Sequence, residues 1–198
     1  ERIDGLLLLQ AVHDVGHSFE EEDLILGRVE GIVGSVEPEI IFADVDPDTA
    51  LMTPATLRDA LGRAPSPVAA VAPVHMAGQS VDMNEVGAIA RAGGARIVED
   101  ACHALGGRDA EGHAVGSGTT ADAAIFSLHP VKVIAAGEGG VVTTADADIA
   151  NAVRQFRNHG MTREKFTDLN QAKAADGLDN PWYYEMIEPG LNYRLSDI

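Results

Sequence analysis

Arg96-Ile97-Val98-Glu99-Asp100-Ala101-Cys102-His103-Ala104-Leu105-Gly106 is the stretch that decides the fold. An apolar run delivers two acids, then small residues, then a histidine. Before it, Met83 to Ala92 has the apolar period of a helix and stops at Gly93-Gly94, the residue type that ends helices in the left-handed cap conformation. A strand over Ala95 to Val98 directly after a helix predicts half of a βαβ unit. The same alternation extends outward in both directions. Upstream, strands over Glu39 to Ala43 and Val68 to Val74 bracket a helix over Pro54 to Leu61, whose start is marked by Thr53 with proline at the first helical position. Downstream, strands over Asp122 to Phe126 and Gly140 to Thr143 precede a helix over Asp148 to His159. Asp46-Pro47-Asp48 and Asp109 to Gly112 carry turn chemistry, and the polar stretch 161–181, ending in Asn180-Pro181, reads as an excursion over the surface. The expected class is α/β with a largely parallel sheet.

Charge and composition exclude several functions. Fourteen Lys and Arg stand against 31 Asp and Glu, a net charge of −17. Such a surface repels phosphate backbones and anionic lipid, so neither a nucleic-acid nor a membrane partner is expected. A local cationic pocket for a phosphorylated small molecule remains compatible with it. Cys102 is the only cysteine. No intrachain disulfide or CxxC metal site can form, and a cytoplasmic compartment fits. The apolar run from Gly5 to Leu9 is too short to span a bilayer and lacks the flanks of a signal peptide. Opening at Glu1 without a methionine and closing at Ser196-Asp197-Ile198, the chain reads as part of a longer protein. Residues 1–35 yield no element: Glu20 to Asp23 is an acidic run, and Gly27, Gly31 and Gly34 interrupt any helix.

Two segments place polar groups at the carboxyl end of an apolar strand, where open α/β sheets bind ligands. In the first, Asp100 can pair with a protonated ring nitrogen of a heteroaromatic cofactor and His103 can lie on its face. Equally, Glu99 and Asp100 can cap a helix while His103 packs locally. The second is Ala124-Ile125-Phe126-Ser127-Leu128-His129-Pro130-Val131-Lys132, followed by the glycine-rich return Gly137-Glu138-Gly139-Gly140. Ser127 can donate to a phosphate oxygen. Lys132, partly desolvated, would be a usable amine for Schiff-base chemistry; on an open loop it would be an ordinary solvated lysine. A third segment, Asn192-Tyr193-Arg194, offers groups suited to an anion. His75 follows a strand, where bordering the site and making a structural hydrogen bond are both open to it. Gly116-Ser117-Gly118-Thr119-Thr120 lacks the lysine of a P-loop and precedes a strand, so a nucleotide cradle is not expected. His13 and His17 have zinc-helix spacing, but Asp14 stands where the motif needs glutamate, and no metal site is expected.

Together these segments resemble the DegT/DnrJ/StrS-type nucleotide-sugar aminotransferases, which are fold type I pyridoxal-phosphate enzymes. The resemblance runs from about Pro38 to Ile198. It is carried by Pro73-Val74-His75-Met76-Ala77-Gly78-Gln79, Glu99-Asp100-Ala101-Cys102-His103-Ala104-Leu105-Gly106 and Phe126-Ser127-Leu128-His129-Pro130-Val131-Lys132 in family order. Gly137 to Thr143, Arg157-Asn158-His159-Gly160 and Asn192 to Ile198 continue it. It implies a three-layer α/β/α architecture, with 36–198 as the central part of the cofactor-binding large domain, residues 1–35 unassigned and the small C-terminal domain absent. It implies pyridoxal 5′-phosphate as cofactor, Lys132 as the lysine that binds it and then moves a proton, and Asp100 on the pyridine nitrogen. His103 would stack on the ring, Ser127 would bind the phosphate, and Asn192 would reach the phosphate of a neighbouring subunit in a homodimer with shared sites. His129 and Arg194 would face substrate. His129-Pro130-Val131-Lys132 and Pro181-Trp182-Tyr183-Tyr184-Glu185 look most like the pseudaminic acid branch, which uses L-glutamate to aminate C4 of a UDP-linked 4-keto-6-deoxy-N-acetylhexosamine. The family's Ser/Gly/Thr phosphate loop has no counterpart before Pro38, which leaves a non-catalytic binding module as a rival. A sugar dehydratase, which carries histidine at the lysine position, is the other.

Overall fold

In the computed structural model, residues 6–10, 40–164, 166–195 and 197 are described. The elements are β1 (Leu6–Gln10), β2 (Ile40–Ala43), α1 (Pro54–Arg63), β3 (Val68–Ala72), α2 (Met83–Ala92), β4 (Arg96–Asp100), β5 (Ala123–Ser127), β6 (Gly140–Thr143) and α3 (Ala147–Phe156). The chain continues through β7 (Met161–Thr162), α4 (Leu169–Ala172) and β8 (Glu185–Met186). Six strands form one sheet in the order β2-β1-β3-β4-β5-β6, and β7 pairs with β8 apart from it. All neighbours in the large sheet are parallel except β6, which returns antiparallel to β5.

Local chemistry starts the helices at or within one residue of where the sequence places them, and α2 keeps its expected bounds, but α1 runs on to Arg63 past Leu61 and α3 stops at Phe156, short of His159. Thr53 Oγ1 accepts from the Thr56 amide at 3.2 Å while the Thr53 amide donates to Thr56 Oγ1 at 2.9 Å. This reciprocal cap, with Pro54 at the first position, satisfies donors that a helix start leaves orphaned. Asp82 caps α2, and the helix ends at Gly93 with Gly94 at φ +80°. The buried positions of α2, Met83, Val86, Gly87 and Ala90, recur at the spacing of one helix face. At Gly87 α2 packs directly on the sheet: a Cβ there would touch Ile97 Cδ1 at 3.5 Å.

The two faces of the sheet differ. Helices α1 and α2 contact each other and both contact strands, so they cover the same face. Leu57, Val71, Val86 and Ile97 form the dry core between them. Because side chains alternate along a strand, Val98 and Asp100 point away from that core. Register puts Ile125 beside Asp100 and Val142 beside Ile125 on this second face. Phe42, Ile125 and Val142 stay exposed there. The described residues thus supply the sheet and one helical layer of the expected three-layer arrangement.

Two expectations need correction. Residues 1–35 yielded no element, yet Leu6–Gln10 is an interior strand that pairs with both β2 and β3. Val68 to Val74 is shorter than expected because Pro73 has no amide to donate. Backbone pairing resumes past it, as a bridge from Val74 to Asp100. His13 and His17 lie outside the described residues.

Candidate active site

Asp100 is the last residue of β4, half-buried and fixed through its own backbone. Its amide donates to Pro73 O at 2.9 Å, its carbonyl accepts from the His75 amide at 3.0 Å, and Oδ1 accepts from the Cys102 amide at 3.0 Å. Ser127 ends the adjacent strand β5 on the same face, two residues beyond Asp100's partner Ile125 and therefore about 7 Å further along. Its Oγ accepts from the His129 amide at 3.3 Å. The chain then turns, with the Lys132 amide donating to His129 O at 2.9 Å, and Lys132 itself is half-buried.

Cys102 joins these groups electrostatically. Burial pushes its thiol up to about 11, and the hydrogen bond and charge of Asp100 push the same way. The Lys132 ammonium opposes that rise. Of the chain's other two lysines, Lys173 is paired with Asp179, and Lys165 lies outside the described residues.

The other expected residues are distributed differently. His103 is exposed in the turn after β4, with its carbonyl under Gly78. His129 is exposed too; Nδ1 accepts from the Val131 amide at 3.3 Å, and Nε2 lies 3.8 Å from the exposed Glu138. Asn192 bridges to Asn158, and Arg194 Nη1 donates to Asn158 Oδ1 at 2.6 Å, so both are tied to the segment after α3 rather than to Lys132. Their segment nevertheless approaches the lysine loop, since a Cβ at Gly139 would stand 2.6 Å from Leu195 Cδ2. Gly139 in turn holds the Leu128 amide through its carbonyl.

Sequence reasoning missed the chemistry behind the site. Glu99 is buried on the helix-covered face, where Oε2 accepts from the Gly116 amide at 2.9 Å and Oε1 from Thr120 Oγ1 at 3.3 Å. The amide of the glycine-rich 116–120 segment is thus spent on a carboxylate of the chain itself. His75 is also fully buried beside Glu99. Strand parity was the available signal: of two consecutive acids in a strand, one has to face the core.

The donor set fits pyridoxal phosphate: a carboxylate for a cationic ring nitrogen and a hydroxyl for a phosphate at the carboxyl edge of one sheet face, with a half-buried lysine for an aldehyde in the turn that follows β5. Fold and edge chemistry together define the large-domain architecture of fold type I pyridoxal-phosphate-dependent enzymes. The sequence model of the DegT/DnrJ/EryC1/StrS aminotransferase family matches residues 30–198, and the chain belongs to that family. It is 35% identical over 158 residues to the UDP-4-amino-4-deoxy-L-arabinose–oxoglutarate aminotransferase of Shewanella sediminis, covering 80% of this chain and 37% of that protein. PseC of Helicobacter pylori, an aminotransferase of pseudoaminic acid biosynthesis, shares the fold with a TM-score of 0.70 at 22% identity, over 98% of this chain and 44% of PseC. DesV of S. venezuelae, solved with a ketimine intermediate, has a TM-score of 0.64 at 28% identity, over 81% of this chain and 37% of DesV. The chain spans only 37–38% of the length of the curated relatives it matches first.

Proposed function

We propose that the protein containing this chain is a pyridoxal-phosphate-dependent nucleotide-sugar aminotransferase, with Lys132 as the lysine that binds the cofactor. The meeting of Asp100 and Ser127 at the carboxyl edge of β4 and β5, with the half-buried Lys132 in the turn that follows, carries this reading. Bound pyridoxal phosphate supplies an electron sink for the electrons released at the reacting carbon. Asp100 holds the proton on the ring nitrogen and so keeps the ring electron-withdrawing. Ser127 donates to the phosphate, and His103 lies against the ring. Lys132, half-buried in the turn after β5, would carry a proton to and from the reacting carbon.

In this reading L-glutamate donates the amino group to the C4 keto group of a UDP-linked 4-keto-6-deoxy-N-acetylhexosamine. His129-Pro130-Val131-Lys132 and Pro181 to Glu185 support that acceptor, and the Shewanella relative, named for a UDP-linked amino sugar and oxoglutarate, supports the nucleotide and the donor. His129 and Arg194 face the substrate's anionic groups, and Asn192 completes the site of a second subunit in a cytoplasmic homodimer. Lys132 stands where a sugar dehydratase of this family carries histidine, which disfavours that rival.

The test is the visible spectrum of the full-length protein with pyridoxal phosphate. A yellow band that L-glutamate bleaches is the expected result. A spectrum no different from free cofactor, unchanged by glutamate, would leave the non-catalytic binding module as the better description.

A further inference from the structure

The mechanism uses Asp100 but leaves its neighbour Glu99 and the buried His75 without a task. Both are nearly inaccessible, at 4% and 0% exposure, although burying an acid is costly unless its oxygens are satisfied. They sit on the opposite side of β4 from the cofactor face, directly behind Asp100.

Their contacts tie three segments to the end of that strand. Glu99 holds the loop 116–120 through the Gly116 amide and the Thr120 hydroxyl. His75 holds the entry to α2, because Nδ1 accepts from the Val81 amide at 3.1 Å. With Nδ1 accepting, the ring proton of a neutral His75 is on Nε2, which has no hydrogen-bond partner among the described residues and lies 3.6 Å from Glu99 Oε2. The backbone of the same histidine donates to Asp100 O, and Pro73, two residues earlier, accepts from the Asp100 amide. Both peptide groups of Asp100 are therefore bonded to a segment whose His75 side chain is buried beside Glu99 and held by the Val81 amide.

We propose that His75 and Glu99 are positioning residues, a buried pair that fixes Asp100 from behind the sheet and so sets how firmly the cofactor's ring nitrogen is protonated. The inference rests on the reading of Asp100 as the partner of that nitrogen. Outer partners that fix the orientation of metal ligands are worth roughly tenfold or more in affinity, and a supporting shell fixes other binding side chains in the same way.

The experiment loads full-length protein with pyridoxal phosphate labelled with 15N at the ring and reads the nitrogen chemical shift across neutral pH. Cofactor dissociation constants and apo-protein melting temperatures accompany it. Wild type is expected to show a protonated nitrogen. Glu99→Ala should move the shift toward the unprotonated value and weaken cofactor binding roughly tenfold. Glu99→Gln, which keeps an acceptor for the Gly116 amide, should restore most of both. His75→Asn keeps an acceptor for Val81 but removes the group facing Glu99; it should give a smaller change of the same sign with melting close to wild type. That variant decides the matter if Glu99→Ala does not fold. Wild-type nitrogen shifts and affinities in every folded variant would overturn the proposal. Asp100→Ala separates the two readings: if it too leaves the nitrogen protonated, Asp100 is not the ring partner and the underlying assignment fails instead.

Discussion

Glu99 and Asp100 are the same kind of group at consecutive positions, yet strand alternation gives them different surroundings. Glu99 faces the helix-covered side, buried, with both oxygens accepting hydrogen bonds from the chain. Asp100 faces the side where Ile125 and Val142 are exposed; one oxygen takes the Cys102 amide. A one-residue change of parity thus separates an acid whose bonding is internal from one available to a ligand. The two faces of the sheet differ in the same way: one is a packed core, the other is a floor with polar groups at its edge.

Substitutions on the two faces should fail differently. On the ligand side, Asp100→Ala should lower turnover of the full-length enzyme by about 10²-fold or more, the scale of losing one charge-stabilising group, with a melting temperature near wild type. Near-normal turnover would move the ring partner elsewhere. On the core side, Gly116→Ala should act on stability. Gly116 has φ +75°, and a Cβ there would stand 2.6 Å from the Phe126 ring, so chemical denaturation should show a loss of about 1–3 kcal/mol. No loss would mean that the loop holding Glu99 can shift freely. Further from the site, Thr53→Ala removes the reciprocal cap of α1 and should cost about 1 kcal/mol in the same assay. An unchanged midpoint would show that packing alone sets the start of that helix.

The smallest effect belongs to the surface excursion between β7 and β8. Glu185 is held down to about 2 by the Thr167 hydroxyl, the Asp168 and Thr167 amides and the Tyr183 hydroxyl. Its ordinary value is 4.5, so the favourable contribution is fully present above that pH and fades as pH falls toward 2. Trp182, edge-on to Tyr183 with centroids 5.8 Å apart, should report the release through its fluorescence. Glu185→Gln should remove that pH dependence, and a transition of the same midpoint in the variant would assign it to another group.

Much of this was legible in the sequence because it depends on local chemistry. Thr53-Pro54 and Gly93-Gly94 mark helix ends through capping, which needs only neighbouring residues. Asp100 and Ser127 could be read as polar groups delivered by apolar runs, although β4 and β5 extend to them past the expected ends at Val98 and Phe126. Leu6–Gln10 could not: four consecutive leucines have no period-2 alternation, and an interior parallel strand shares its apolar run with a buried helix. Strand parity required one of Glu99 and Asp100 to face the core, but which one does so, and its neighbourhood with His75, depend on register between β3 and β4 and on a loop 17 residues away, which no local pattern encodes. Asn192 and Arg194 resemble anion-binding residues in sequence, whereas within the described residues they bond to Asn158.

The central claim is that Lys132 binds the cofactor, and the chain's three lysines make it directly testable. Full-length protein loaded with pyridoxal phosphate would be reduced with borohydride, digested, and searched by mass spectrometry for the phosphopyridoxyl group. The expected result is a single modified lysine, Lys132, whose label is lost when L-glutamate is added before reduction. A label on Lys165, on Lys173 or outside this chain, with Lys132 unmodified, would contradict the account.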